Sequence, residues 1–132
     1  MAENRLEVHV VTPEREVWTG EADMVVARAA DGEVGILPGH APYLALLAPG
    51  PLRIKDGGSE ERAAVDGGFL HVNDDRVDVL AEHALLASEI DVGRERGRIE
   101  ELERRVQEEG TDEARTELAI AVARVRVAEP GS

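Results

Sequence analysis

The chain has 132 residues, a formal net charge of −13 and no cysteine. This length suits one compact core with a small appendage. The absence of thiols excludes disulfide frameworks, zinc–thiolate sites and cysteine nucleophiles. The negative charge argues against nucleic acid or anionic lipid as a direct partner, because both require clustered positive charge. The sequence contains neither a basic start followed by an apolar stretch nor an 18-residue apolar run, so we predict no signal peptide and no membrane span.

The segment from Leu6 to about Ala87 has the residue pattern of β-strands. Short alternating or apolar runs are separated by turn residues, which predicts roughly eight to ten strands in a sandwich or barrel. The predicted strands include residues 6–10, 24–26, 43–47, 52–54, 62–65, 69–72 and 76–80. The Pro49-Gly50-Pro51 run predicts a bend between two of these strands.

The run from Gly32 to Pro42 combines glycines and prolines with a histidine. Glycine permits positive φ, proline fixes φ near −65°, and Pro38-Gly39 favours a tight turn. We therefore predict a rigid loop that is shaped for contact with a partner.

From Ser88 onward the apolar period becomes helical. Ser88 or Asp91 can cap a first helix, and Asp112 can cap a second after a break near Gly110. The apolar stripes are Val92, Ile99, Leu102 and Val106 on the first helix, and Leu118, Ala121, Val122 and Val125 on the second. Such narrow stripes predict an antiparallel hairpin that is marginally stable alone and needs a surface to lie on. Gly93 and Gly97 cost about 1 kcal/mol each relative to alanine, and they serve either local packing or a helix that rearranges easily.

The run GEVGILPGHAP at residues 32–42 closely resembles the signature loop of the epsilon subunits of bacterial F-type ATP synthases. The resemblance continues in order through residues 6–12, 17–20, 44–54, 65–72, 76–82 and 117–127. It implies an α+β fold, with an antiparallel β-sandwich of about ten short strands over residues 1–87. A C-terminal antiparallel two-helix hairpin would occupy residues 88–132, in agreement with the change of period at Ser88.

The family resemblance implies a non-catalytic subunit of the central stalk, or rotor. Such proteins bind the gamma subunit and the ring of c subunits, and they help to couple proton translocation to ATP synthesis. The helical hairpin restrains ATP hydrolysis when it extends into the alpha/beta catalytic head. The implied location is peripheral, at the cytoplasmic face of the cell membrane, without insertion into the bilayer.

Family position also implies contact residues. The expected c-ring contacts are Asp31, Gly32 and Glu33, and the expected gamma contacts are His40, Ala45 and Asp66. Glu33 has the alternative of a solvated turn carboxylate, and His40 that of a hydrogen bond within its own turn. A salt bridge at an exposed rim contributes only about 0–1 kcal/mol, so charge alone does not establish a contact.

Some family members bind regulatory ATP through an Ile/Leu-Asp-x-x-Arg-Ala motif at the start of the first helix. Ile90, Asp91 and Arg94 match this motif, but Glu95 stands where it has alanine. Further positive charge is available from Arg98, Arg124 and Arg126. The larger, anionic Glu95 opposes a polyphosphate both sterically and by Coulomb repulsion. We therefore predict no cofactor, with regulatory ATP as the alternative.

Other functional classes find less support in the sequence. The four histidines, at positions 9, 40, 71 and 83, are scattered, and neither a His-Glu-x-x-His nor a Gly-x-Ser-x-Gly motif is present. No catalytic or metal site is predicted. The remaining alternative is a free-standing β-sandwich binding module whose helices dimerise through Leu102, Val106, Leu118 and Val122.

Overall fold

The computed structural model describes residues 5–130, which form nine β-strands, a short 3-10 turn and two α-helices. The strands are β1 (Leu6–Val11), β2 (Glu16–Ala22), β3 (Met24–Ala29), β4 (Gly32–Ile36), β5 (Tyr43–Asp56), β6 (Ser59–Val65), β7 (Gly68–Asn73), β8 (Arg76–Leu80) and β9 (Ala84–Leu86). The 3-10 turn Ala87–Glu89 leads to α1 (Val92–Glu109) and α2 (Asp112–Ala128). The predicted fold class, a β-sandwich followed by two packed helices, is confirmed.

The strands form two layers around one apolar core. The first layer has the order β2-β1-β8-β7-β5, and the second has β4, β3, the later half of β5, β6 and β9. Among the described strands, the β1–β8 pairing is parallel and the others are antiparallel. Alternate side chains of both layers point inward, and the fully buried ones include Leu6, Val8, Leu70, Val77, Val25, Ile36 and Leu52.

The β5 strand belongs to both layers. Its first part, Tyr43 to Leu47, pairs with β7, and its last part, Gly50 to Asp56, pairs with β6. Its register against β3 shifts at Ala27/Ala29. The sequence pattern predicted two strands separated by a bend at Pro49-Gly50-Pro51, but the backbone remains extended there. The prolines mark a ladder irregularity, where a missing N–H is tolerated, rather than a strand end.

The segment predicted as one shaped loop is divided between a strand and a turn. Gly32–Ile36 forms β4 against β3, because Val34 and Ile36 alternate and Ile36 is completely buried. The tight Pro38-Gly39 turn is present, with a φ of 87° at Gly39. The carboxylate of Asp75 accepts a hydrogen bond from the Gly39 amide at 2.7 Å, which ties this turn to the β7–β8 hairpin.

Side-chain caps begin both helices. The Asp91 carboxylate accepts from the backbone amide of Arg94, and the Thr111 hydroxyl accepts from that of Ala114. The prediction that Asp112 caps the second helix is wrong by one residue. Thr111 takes the capping position, and Asp112 is the first helical residue.

The α2 helix lies between α1 and the outer face of the second layer. Ala119, Val122 and Ala123 line a cleft with residues 49–51 of β5, whereas Leu118 lies beside Val106 of α1. The buried residues of α2 are Ala114, Ala121, Ala123 and Val127. The predicted stripe was too narrow, because a helix covered on two sides buries residues around much of its circumference. As expected, the hairpin lies on a surface.

Candidate docking surface and hairpin contacts

Four large apolar side chains are exposed on the outer face of the first layer. Their exposed fractions are 66% for Leu44, 59% for Leu46, 47% for Phe69 and 49% for Leu80. The strand register places Phe69 opposite both Leu46 and Leu80, and Leu44 follows on the same face of β5. We call these four residues the apolar row. Contiguous apolar exposure of this kind marks an interaction surface.

An open groove of about 530 Å³ lies at one end of the apolar row. Its lining residues are Val11, Thr12, Pro13, Asp66, Gly67, Gly68, Phe69, Leu80, Ala81 and Glu82. Gly68 has a φ of 123°, and a Cβ there would lie 2.1 Å from the Leu80 carbonyl oxygen. Only glycine therefore permits the close approach of β7 and β8 that forms this groove.

The three predicted c-ring residues lie together at one exposed tip. Asp31 occupies the two-residue turn between β3 and β4, and Gly32 and Glu33 begin β4. Gly32 adopts a φ of 136° and has open space around it. Within residues 5–130, neither Asp31 nor Glu33 has an ion-pair partner. The tip therefore presents two carboxylates that are not committed to contacts inside the described chain.

The three predicted gamma residues lie in the loop before β5, in β5 itself and in the turn between β6 and β7. The His40 Nδ1 donates to the carbonyl oxygen of Ala41 at 2.7 Å, and its ring lies 5.6 Å from that of Tyr43. Ala45 shares its face of β5 with Leu47, opposite the face of the apolar row. Asp66 follows β6 and lines the groove at the far end of β7. The imidazole thus organises its own loop, and the gamma-contact assignments stay predictions.

The strand β4 also separates the two contact sites predicted for the GEVGILPGHAP segment, one for the c ring and one for gamma. The acidic tip lies at one end of β4 and the His40 loop at the other, five residues of extended chain apart. At about 3.3 Å per residue this is roughly 15 Å. One rigid loop cannot account for both contacts, whereas two loops held by one strand can.

The candidate nucleotide residues lie on the two helices and just before α1, and their role in binding a nucleotide stays a prediction. Ile90 lies between the 3-10 turn and α1, and Asp91 caps α1. Arg94 is exposed, and Arg126 lines the cleft between α2 and β5. Arg98 lies 3.9 Å from the Glu95 carboxylate.

Arg124, the remaining nucleotide candidate, is already engaged within the chain. Its guanidinium lies 3.5 Å from Glu95 and 3.4 Å from Asp66. Glu95 itself is only 4% exposed. An anionic ligand would therefore have to displace two carboxylates to reach Arg124.

Two features were missed by sequence reasoning. The apolar row was missed because Tyr43 to Leu47 carries apolar residues on both faces, so the sequence pattern does not show which face is exposed. The Glu95–Arg124 contact was missed although a signal existed. Glu95 follows Val92 by three residues and precedes Ile99 by four, which puts it inside the predicted apolar stripe.

The described residues, 5–130, contain no group of three or more His, Asp or Glu side chains arranged to hold a metal ion. None of the helices in that part of the chain is both long and apolar enough to cross a membrane.

Comparisons with known proteins agree on one family. Residues 5–87 match the family described as ATP synthase, Delta/Epsilon chain, beta-sandwich domain. The ATP synthase epsilon chain of Thermobifida fusca is 51% identical over 129 residues, covering 94% of this chain and 92% of that one. The chain belongs to the ATP synthase epsilon chain family. The epsilon chain of Frankia casuarinae is 57% identical over 82 residues, which cover 61% of this chain and 96% of that one.

Solved structures give the same fold. A chain in the cryo-electron-microscopy structure of the Euglena gracilis mitochondrial ATP synthase, described as OSCP/F1/c-ring in rotational state 1, superposes with a TM-score of 0.77. It is 26% identical, and the match covers 96% of this chain and 80% of that one. As a member of the epsilon family, the chain is a non-catalytic subunit of the central stalk of an F-type ATP synthase.

The buried carboxylate of Asp66 gives a prediction about pH. Burial raises the pKa of Asp66 above its usual value of 3.8, and the nearby Arg124 guanidinium offsets only part of this effect. Ionisation of Asp66 therefore opposes the folded state. The stability that its protonated form contributes is present below the usual pKa and is lost as pH rises through the raised pKa.

We expect Asp66→Asn to gain free energy of unfolding relative to the parent as pH is raised from about 3 to about 7. Urea unfolding of both proteins at several pH values measures this difference, with Asp31→Asn at the exposed tip as the matched control. A difference between Asp66→Asn and the parent that stays constant, or that falls with pH, would contradict the prediction.

Proposed function

We propose that this chain works on the rotor, where it helps to couple proton translocation to ATP synthesis and restrains ATP hydrolysis through α1 and α2. The observation that carries the proposal is the difference between the two outer faces of the sandwich. The second layer is covered by α2, whereas the first exposes the apolar row. The first layer therefore offers an apolar face to a partner protein, and the regulatory part of the proposal is that the helices packed on the second layer can leave it.

The gamma subunit is the proposed occupant of the apolar row. Burial of each large apolar side chain contributes roughly 1.5–3 kcal/mol, whereas an exposed salt bridge contributes about 0–1 kcal/mol. The affinity for gamma would then come chiefly from the row. The acidic tip at Asp31 and Glu33 would meet polar loops of the c ring and set orientation. The net charge of −13 suits docking on cationic loops.

The remaining partners and the location follow from this assignment. Docking on the c ring puts the chain at the cytoplasmic face of the cell membrane, as a peripheral part of the complex. When α1 and α2 extend along gamma, they would contact the alpha/beta head and obstruct rotation. The proposed limit between the docking part and the regulatory part lies near Ala87, between the end of β9 and the start of α1.

We further propose that no nucleotide regulates this chain, because the Glu95 carboxylate lies beside Arg124, where a phosphate would have to bind. Calorimetric titration of the full chain with millimolar MgATP is expected to give no binding heat. An epsilon chain that has alanine in the motif, titrated in parallel, is the positive control. Saturable heat from the present chain would refute this proposal.

The apolar row can be tested directly at Phe69. We expect Phe69→Glu to weaken capture of the gamma subunit on the order of 100-fold, because a desolvated carboxylate would replace buried apolar area. Ser59→Glu, which adds the same charge at the exposed start of β6, is the matched control and should bind as the parent does. Surface plasmon resonance with immobilised gamma measures the affinities, and circular dichroism checks the fold.

The Glu33→Lys variant separates the two proposed contacts. It should leave the affinity for gamma within about threefold of the parent, since only an exposed charge changes, while weakening proton pumping by the reconstituted complex.

If Phe69→Glu binds gamma as tightly as the parent does, the row is not the gamma surface. A stable homodimer without affinity for gamma would instead favour the binding-module alternative.

The regulatory role is tested by adding the chain to an ATP synthase depleted of its epsilon subunit. The full chain is expected to lower ATP hydrolysis, and a truncation ending at Ala87 should rebind without lowering it. The measurement is the steady-state rate of ATP hydrolysis, together with co-sedimentation to show rebinding. Equal rates with the two forms, when both are bound, would remove the helices from the regulatory role.

A further inference from the structure

A cluster of three charged side chains joins the three parts of the folded molecule. Glu95 belongs to α1, Arg124 to α2, and Asp66 to the turn between β6 and β7. The Arg124 Nη1 lies 3.5 Å from Glu95, and its Nη2 lies 3.4 Å from Asp66. Arg124 is thus a cation held between one carboxylate of the helical hairpin and one of the sandwich.

The cluster is largely withdrawn from water. The exposed fractions of the side chains are 6% for Glu95, 18% for Arg124 and 9% for Asp66. Glu95 occupies a position in the α1 stripe where the helical period calls for an aliphatic residue. Its Oε1 and the Nε of Arg124 are buried without a hydrogen-bond partner. Arg124 faces both carboxylates, and Arg98 adds a second positive charge 3.9 Å from Glu95, but the hydrogen-bonding capacity of the cluster is not filled.

This arrangement affects the folded and released positions of the helices differently. Removing one member strands a buried charge, which is strongly unfavourable. Moving the helices away from the sandwich instead returns all three groups to water, where hydration replaces the ion pairs. Apolar residues at the same positions would lose their favourable burial on release. The charged groups therefore favour one docked position of the helices. At the same time, they reduce the free-energy difference between the docked and the released positions.

A fixed point for such a movement lies just before α1. Both terminal nitrogens of Arg15 donate to the Glu89 carboxylate at 2.8 Å, and Arg15 also donates to the carbonyl of Ala84. These bonds hold the 3-10 turn on the sandwich. The Arg15 guanidinium keeps the pKa of Glu89 below its ordinary value, so the carboxylate stays ionised. Only Ile90 and Asp91 separate this anchor from the first residue of α1.

We propose that Glu95, Arg124 and Asp66 form an ionic latch that fixes α1 and α2 on the sandwich and keeps the free-energy cost of releasing them small. This inference rests on the proposed regulatory function, in which the helices leave the sandwich. The latch is internal to the chain and acts without a bound ligand.

Amide hydrogen exchange of the full chain tests the latch. Arg124→Ala is expected to raise exchange rates in α1 on the order of tenfold to a hundredfold, because the buried Glu95 keeps only the more exposed Arg98, at 3.9 Å, and Asp66 loses its cation on α2. Arg104→Ala, which removes an exposed arginine of α1 that faces away from the sandwich contacts described above, is the matched control and should leave these rates within about twofold. Unchanged exchange in the strand core shows that the sandwich still folds. Unchanged exchange of α1 in Arg124→Ala would overturn the proposal.

A second variant tests whether the charges make release easier. The triple change Asp66→Asn, Glu95→Leu and Arg124→Leu replaces the latch by mostly apolar contacts, and exchange in α1 should become slower than in the parent. Exchange faster than in the parent would overturn this part of the proposal. Because the chain is measured alone, these results are independent of whether it restrains hydrolysis in the complex. Failure of the latch and failure of the proposed function are therefore distinguishable.

Discussion

The architecture depends on a single strand, β5, whose two halves belong to different layers. Pairing with β7 and then with β6 requires the ladder to be interrupted between Leu47 and Gly50. Two prolines at this point remove backbone donors that the interrupted ladder does not use. Because β5 is continuous, the two layers cannot shift independently. The relative position of their outer faces is fixed by covalent structure as well as by the buried core.

The two outer faces follow from this constraint and have opposite solvation. Small residues of α2, including Ala119 and Ala123, allow the helix to approach β5 closely. The apolar row on the other face has no such cover within the described chain, and its four side chains remain between 47% and 66% exposed. A monomeric sandwich would be expected to carry polar residues there. The asymmetry leaves the first layer available for contact with another protein, while the second layer is covered by the chain's own α2.

Sequence reasoning recovered the features that depend on local period and turn chemistry. The change from alternating to helical spacing at Ser88, the capping by Asp91 and the turn at Pro38-Gly39 all rest on nearest neighbours, and the structure contains them. The continuity of β5 and the existence of β4 depend on pairing with β3, a partner distant in sequence. Glu95 shows a different limit. Its place in the apolar stripe indicated burial, but its partners on α2 and the β6–β7 turn could only be identified once these elements had been packed together.

Asp66 connects the two surfaces that the function would use. It lines the groove beside Phe69 and Leu80, and it also pairs with Arg124 of α2. Coulomb energies at such short range in a partly desolvated site far exceed those of exposed pairs. A partner that covers this groove would therefore change the solvation of Asp66 and, through Arg124, the stability of the docked helices. Two side chains, Asp66 and Arg124, would then connect partner docking to the position of the helices.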